Sequence, residues 1–488
     1  KGNQIANYGP DGRSASFTYP DWDPTNPANY AMDDFYYRGF NNGSELWQGG
    51  LNARYRMNDA LTLRVGAAYH RFSQDGMDVF YDGDVNGTRP KTRGTSVTDI
   101  TRVFKNSMGS WLVGDYQKAF GKYNEYHRFG PHVDGSGGEL YDIENVYATT
   151  EETFSGFVQM DWDGELFGSR FRGNIGLRGY TTDTHSTGWI QGADYVYLGT
   201  TDVKGSYSGV LPAMNAVLEP TENLLLRFAA GQNLNRPGMG SMAAKGSAFR
   251  NEDSGEITAS RGNPNLKPYK DTTLDFSAEY YFGDVGLISA SLFQKWIKNF
   301  IGTEIRENVR FGETGVPSGT IPGATDDTIV SEFSMPVNIA GTKSITGIEL
   351  AAQSQFNFLP APFDKLGMLA NFTYVDAPED ITGISKTSYN ATLYYETDRW
   401  GLRGSLSHRS RWYSGRNENL MSASTRGFEP TTYVDASAFL NITDDLQVSV
   451  NAINLTNEKE TQFWGQNRYL YNQTQSGRTF MAGLSYAF

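Results

Sequence analysis

One pattern recurs along most of this chain. Two runs of about ten to fifteen residues alternate apolar and polar side chains around a short turn of Gly, Asn, Asp or Pro. "GGLNARYRM" turns at Asn58-Asp59 into "LTLRVGAAYHRF". "SGFVQMDWDGELFGSRFRGNIGLRGYTT" turns near Gly164, and "MNAVLEPTENLLLRFAAGQN" at Pro220. Similar pairs turn at Gly283-Asp284, at Asp398 and across Thr443–Asp445. The last run, "SGRTFMAGLSYAF", sets Phe480, Ala482, Leu484, Tyr486 and Phe488 on one face of a strand. Met481, Gly483, Ser485 and Ala487 fall on the other. A chain built this way is all-β.

Long polar loops separate these hairpins, at roughly 1–45, 73–145, 184–203, 234–266, 302–335, 413–430 and 457–476. Loops of that length are foreign to a compact soluble domain unless they are functional. Short turns at one end and long loops at the other describe a transmembrane antiparallel β-barrel, whose tilted strands need about 9–11 residues to cross the hydrocarbon. No run reaches 18 apolar residues, so no helix is expected to span. Counting back from Phe488 gives about fifteen strands, the first near 46–57, whereas such barrels close with an even number. The stretch 96–104, "SVTDITRVF", is a candidate extra strand, but it would break the alternation of short turns and long loops. An incomplete barrel is the better expectation. The opening Lys1-Gly2-Asn3-Gln4, with neither Met nor an apolar leader, points the same way.

Composition narrows the partners. Aromatic residues make up 14% and Gly numbers 54, which suits many strands joined by many turns. With no Cys, a disulfide framework and a thiolate metal site are excluded. A net charge of −13 argues against a nucleic-acid partner held by phosphate neutralisation.

The segment Arg261-Gly262-Asn263-Pro264-Asn265-Leu266-Lys267-Pro268, followed by "YKDTTLDFSAEYYF", resembles the "GNPxLKPE" signature of TonB-dependent outer-membrane receptors. Tyr269-Lys270 stands where that signature has an acidic residue. Asn235-Arg236-Pro237, "NLTNEKE" at 454–460 and the closing "GRTFMAGLSYAF" are similar to further elements of the family. "EETFSGFVQMDWDGELFGSRFRGNIGLRGYTTDT" at 151–184 resembles its large Caulobacter- and Xanthomonas-type subgroup, many of whose members import oligosaccharides. The resemblance implies a barrel of about 22 strands around an N-terminal plug. Residues 1–488 would then be the C-terminal barrel portion, with the plug, the TonB box and the first strands missing. It implies a Gram-negative outer-membrane location amid lipid and lipopolysaccharide, coupling to TonB with ExbB–ExbD, and reading of the terminal strand by the barrel-assembly machinery.

Enzyme signals fail one at a time. The five histidines show no ligand spacing, and "GMGSMA" at 238–243 imitates a dinucleotide Gly pattern without the strand that must precede it. No cofactor is required. Asp82, Asp84 and Asn86 in "YDGDVNG" match the opening of a calcium loop, but Arg93 occupies the twelfth position, where a bidentate Glu belongs. The simpler reading is an Asx-rich turn, with a structural Ca²⁺ as the alternative.

The loops carry aromatics beside amides and charges, the combination that stacks on a pyranose and reads its hydroxyls. Trp111, Trp189, Tyr195, Tyr197, Arg416, Trp464, Asn467 and Tyr469 are the candidate substrate contacts, against the plainer reading that such aromatics pack the loops or form the membrane girdle. The expected function is active import of an oligosaccharide. The alternatives are a ferric-siderophore receptor of the same family, a passive porin, or a surface adhesion barrel.

Overall fold

The computed structural model describes residues 5–8, 15–32, 36–82, 95–106, 109–123, 131–133, 139–141, 143–191, 197–251, 254–378, 381–415, 425–465 and 468–487. Among these, fifteen strands pair antiparallel in chain order. They are β1 (Tyr36–Arg56), β2 (Leu61–Asp82), β3 (Ile143–Leu166), β4 (Ser169–Gln191), β5 (Tyr197–Thr221), β6 (Leu224–Asn235), β7 (Tyr269–Phe282) and β8 (Gly286–Lys298). After them come β9 (Thr342–Gln355), β10 (Leu366–Asp376), β11 (Thr387–Glu396), β12 (Trp400–Arg409), β13 (Thr431–Asn441), β14 (Leu446–Ile453) and β15 (Thr479–Tyr486). Their sheet is ordered as a barrel.

Register assigns each side chain to a face. Val65, Val158 and Leu177 are cross-strand partners on β2, β3 and β4, and all three are exposed. Leu292 on β8 pairs with Ile348 on β9, and Val448 on β14 with Leu484 on β15. Leu292 is 53% and Leu484 72% exposed. Large apolar side chains exposed in step on neighbouring strands form the surface that a bilayer covers. The opposite face is polar: on β3 and β4 it carries Thr149 against Ser186 at 2.9 Å and Thr153 against Thr182 at 2.8 Å. Such Thr and Ser pairs satisfy each other across the ladder.

The strands overrun the expected loops. β1 begins ten residues before position 46, and the interval 184–203 is largely strand, since β4 runs to Gln191 and β5 resumes at Tyr197. β3, β4 and β5 have 24, 23 and 25 residues, more than double what a crossing needs, so they stand well clear of the hydrocarbon. The turn expected near Gly164 sits instead at Phe167-Gly168, both at positive φ (52° and 74°), as a two-residue hairpin loop demands. Pro220 lies inside β5, at a register irregularity where no ladder N–H is required. Thr101–Asn106, which overlaps the candidate extra strand at 101–104, pairs with Gly109–Gly114 in a separate two-stranded sheet.

The long connections at one end are folded. The interval 302–335 forms a hairpin of Ile301–Arg310 with Ile329–Asn338, and Gly246–Arg250 pairs with Ile257–Arg261. Thr258–Ser260 runs parallel to Glu332–Ser334 and joins the two hairpins. Between them Phe311, Val316, Ile321, Val330 and Phe333 build a hydrophobic core outside the membrane. A four-stranded sheet of Trp412–Gly415, Arg426–Phe428, Glu460–Trp464 and Tyr469–Thr474 covers the neighbouring rim.

Candidate functional site

The inward face of β1–β6 borders a cavity of about 420 Å³ toward the long-loop end of the barrel, with His70, Glu151, Thr153, Arg178, Tyr180 and Arg236 in its wall. Alternation alone puts these polar groups inside, because every second residue of β2, β3 and β4 must face the lumen. Glu151 is buried, and the Tyr207 hydroxyl donates to its Oε1 at 2.9 Å. Arg236 Nε stands 3.6 Å from its Oε2, while Arg236 Nη2 donates to Thr153 Oγ1 at 3.0 Å. Arg236 belongs to the Asn235-Arg236-Pro237 element, so the resemblance marked the position and only the fold shows its partner.

Immediately after Pro237 the chain turns inward. A one-turn helix, Met239–Met242, buries both methionines against Leu266, with Phe72 and Ile301 alongside. This is the "GMGSMA" stretch, whose small residues allow close packing. Ala244 N–H donates to Ser186 Oγ at 2.9 Å and fastens the segment to the wall.

The "GNPNLKP" stretch clamps the same region. A Cβ on Gly262 would collide with the Ala243 carbonyl, so only Gly fits. Asn263 N–H donates to the Ser241 carbonyl at 2.8 Å and its amide to the Pro336 carbonyl at 2.9 Å. Lys267 N–H donates to Asn338 Oδ1 at 2.9 Å, and Asn338 Nδ2 returns a bond to the Lys267 carbonyl at 2.8 Å.

Beside this clamp lies a second pocket, of about 370 Å³, whose wall includes Trp189, Ser241, Lys245, Ser260, Arg261 and Ser334. Burial and the nearby Arg306 both hold the Arg261 guanidinium below its usual range. Lys245 Nζ donates to Asn145 Oδ1 at 3.2 Å and lies 5.2 Å from the centre of the Tyr147 ring.

The aromatic candidates disperse over several elements. Trp189 lines this second pocket. Trp111 sits on the Gly109–Gly114 strand, its ring 5.5 Å from Phe104. Trp464 and Tyr469 are cross-strand partners with rings 6.3 Å apart, 37% and 58% exposed. Tyr197 opens β5 opposite Gln191. Tyr195, Arg416 and Asn467 lie outside the described residues, as do Asp84 and Asn86, while Asp82 ends β2. Among the described residues no group of three or more His, Asp or Glu is placed to hold a metal. Tyr207 carries no sequence signal of its own, whereas Glu151 and Arg261 open two of the stretches that carry the family resemblance.

Three solved structures share the fold. The unliganded ferric citrate transporter FecA superposes with a TM-score of 0.55 at 15% identity, over 92% of this chain and 55% of that one. The copper transporter OprC gives 0.56 at 14%, over 92% and 58%. The ferric-catecholate import receptor Fiu from E. coli K12, in its closed form, gives 0.53 at 14%, over 99% and 59%. The chain therefore spans under three-fifths of the length of each. No curated protein matches the sequence. The family described as "TonB dependent receptor-like, beta-barrel" matches residues 2–455, and its members are transporters rather than enzymes. With lipid-facing strands, an inward-folded mouth and a match over nearly its whole length, this chain belongs to that family and is an outer-membrane β-barrel of a Gram-negative bacterium.

Proposed function

We propose that this chain forms the barrel of an energy-coupled outer-membrane importer whose cargo is a metal chelate of the ferric-siderophore type. Family membership over residues 2–455 carries the reading. The ferric citrate and ferric catecholate named for FecA and Fiu favour a chelate over the oligosaccharide that the subgroup resemblance suggested, and the copper named for OprC is likewise a metal cargo. In this reading TonB with ExbB–ExbD supplies the energy, lipid and lipopolysaccharide surround the apolar face, and the barrel-assembly machinery recognises β15. A structural Ca²⁺ at Asp82, Asp84 and Asn86 is an accessory proposal; a melting temperature unmoved by a calcium chelator would remove it.

The oligosaccharide reading keeps one specific support: Trp464 and Tyr469 are adjacent, exposed and tilted like the walls of a sugar subsite. Uptake of radiolabelled iron as ferric citrate or ferric catecholate, in cells lacking the gene and in complemented cells, separates the two. Complementation should restore iron uptake only where TonB is present. Uptake that persists without TonB would overturn the coupling, and entry of labelled oligosaccharide alone would transfer the cargo to sugar.

A further inference from the structure

Register carries one line of side chains from β2 to β7 on the lipid-facing side. Leu63 on β2 pairs with Met160 on β3, Met160 with Ile175 on β4, and Ile175 with Met214 on β5. Met214 then pairs with Ala230 on β6, and Ala230 with Leu274 on β7. Alternation places this line on the same face as Val65, Val158 and Leu177, the face that a bilayer covers. Every member lines an apolar groove of about 540 Å³, and Ala230 is the short side chain between Met214 and Leu274.

The same face turns polar toward the long loops. Gln232 on β6 and Thr272 on β7 are cross-strand partners at that end of the groove, and Gln232 Nε2 donates to Thr272 Oγ1 at 3.2 Å. Trp296 on β8 stands opposite Thr272. An amphipathic ring there belongs at the headgroup level of a membrane. One step further out, Lys270 stands opposite Lys298, and alternation from the exposed Leu274 and Leu292 keeps both on the outer face. Among the described residues neither ammonium is paired with a carboxylate, and Lys270 Nζ donates to the Val210 carbonyl at 3.4 Å. Like charges directly opposite each other repel across a ladder, and a phosphate between them offsets the repulsion.

Groove and lysine pair match two parts of one molecule. An acyl chain gains little apolar energy by exchanging lipid neighbours for leucines, because both are hydrocarbon. What the groove adds is shape, since a gap without atoms forfeits dispersion contacts that a chain restores. Selectivity then comes from the headgroup. One cation pair beside one groove of this size suits a lipid with a single phosphate.

We propose that the outer face of β2–β8 holds one anionic glycerophospholipid, with its acyl chain in the groove at Ala230 and its phosphate between Lys270 and Lys298. Binding rests on the lipid-covered face of the importer reading and not on its cargo.

Native mass spectrometry of the intact chain tests this, after incubation in detergent with equal amounts of dimyristoylphosphatidylglycerol, dimyristoylphosphatidylcholine and lipid A. The wild type should retain one phosphatidylglycerol in preference to the choline lipid, which has the same chains. Lys270→Gln and Lys298→Gln should each weaken that retention about fivefold. Ala230→Leu should weaken it by filling the groove, whereas Leu292→Ala, on the same face outside the groove, should retain the lipid as the wild type does. Equal retention of the two phospholipids, preference for lipid A, or wild-type retention in folded Lys270→Gln or Ala230→Leu overturns the proposal. Loss of the lipid in Leu292→Ala would overturn it as well, by showing that any outward apolar contact suffices. Cellular iron uptake is a separate readout, so failure here leaves the importer reading standing.

Discussion

The Tyr207 hydroxyl on β5 reaches past β4 to the Glu151 carboxylate on β3, 2.9 Å away, while Arg236 at the end of β6 stands 3.6 Å from the other carboxylate oxygen. Glu151 is 4% exposed and Arg236 40%, so losing one partner is not equivalent to losing the other. Tyr207→Phe removes one charge-assisted hydrogen bond and should destabilise by about 1.5–3 kcal/mol. Arg236→Met leaves a buried carboxylate without its counter-charge and should cost about 3–5 kcal/mol. Equilibrium urea unfolding in detergent measures both, and the reverse order would contradict the assigned burial.

Leu292 and Ser291 are sequence neighbours on opposite faces of β8. Arg in place of Leu292 enters the hydrocarbon and should cost about 2–4 kcal/mol near the bilayer midplane. Arg in place of Ser291 points into the polar lumen and should change folding far less. Folding titrations into phospholipid bilayers would show the asymmetry; equal losses would mean that the face assignment is wrong.

Asn338 exchanges two hydrogen bonds with the Lys267 backbone, and its Nδ2 also donates to the Asn299 carbonyl at 3.0 Å. Asn338→Ala should speed hydrogen exchange of the Lys267 amide by about tenfold, corresponding to the loss of about 1–1.5 kcal/mol of local protection. Protection of the β7 and β8 amides should not change.

Glu429 plays the corresponding part in the four-stranded rim sheet. Only 8% exposed, it accepts from Arg411 at 2.8 Å and from Arg468 at 3.3 Å. Glu429→Ala leaves two cations facing each other and should open this sheet to protease at concentrations that spare the barrel. Cleavage at unchanged protease concentration would indicate that the stacked Trp412 and Phe428 rings, 4.2 Å apart, hold the sheet unaided.

Sequence alternation reveals the membrane-crossing part of this fold because lipid outside and water inside impose opposite demands on adjacent residues. The turns at Asn58-Asp59, Gly283-Asp284, Asp398 and Thr443–Asp445 were legible for that reason, and for their local turn chemistry. Above the bilayer the outer face no longer has to be apolar, so "THSTGW" on β4 reads as loop although it continues the ladder. The Phe311–Phe333 core was hidden for a related reason: its members are spread through a stretch with neither helical nor strand periodicity. The lumenal cluster was out of reach for another. Glu151 and Tyr207 come from two strands and Arg236 from the residue after a third, and they meet only through register. Of the aromatic candidates, Trp464 and Tyr469 lie near each other in sequence and are cross-strand partners, whereas Trp111 and Trp189 belong to separate elements.

Met239, Met242 and Leu266 pack together and hold the segment after β6 in place within the fold itself. Chain entropy that a flexible lid would lose at each encounter has already been lost here, once, during folding. A molecule entering this end of the barrel therefore meets a surface already shaped by folding rather than a segment it must order.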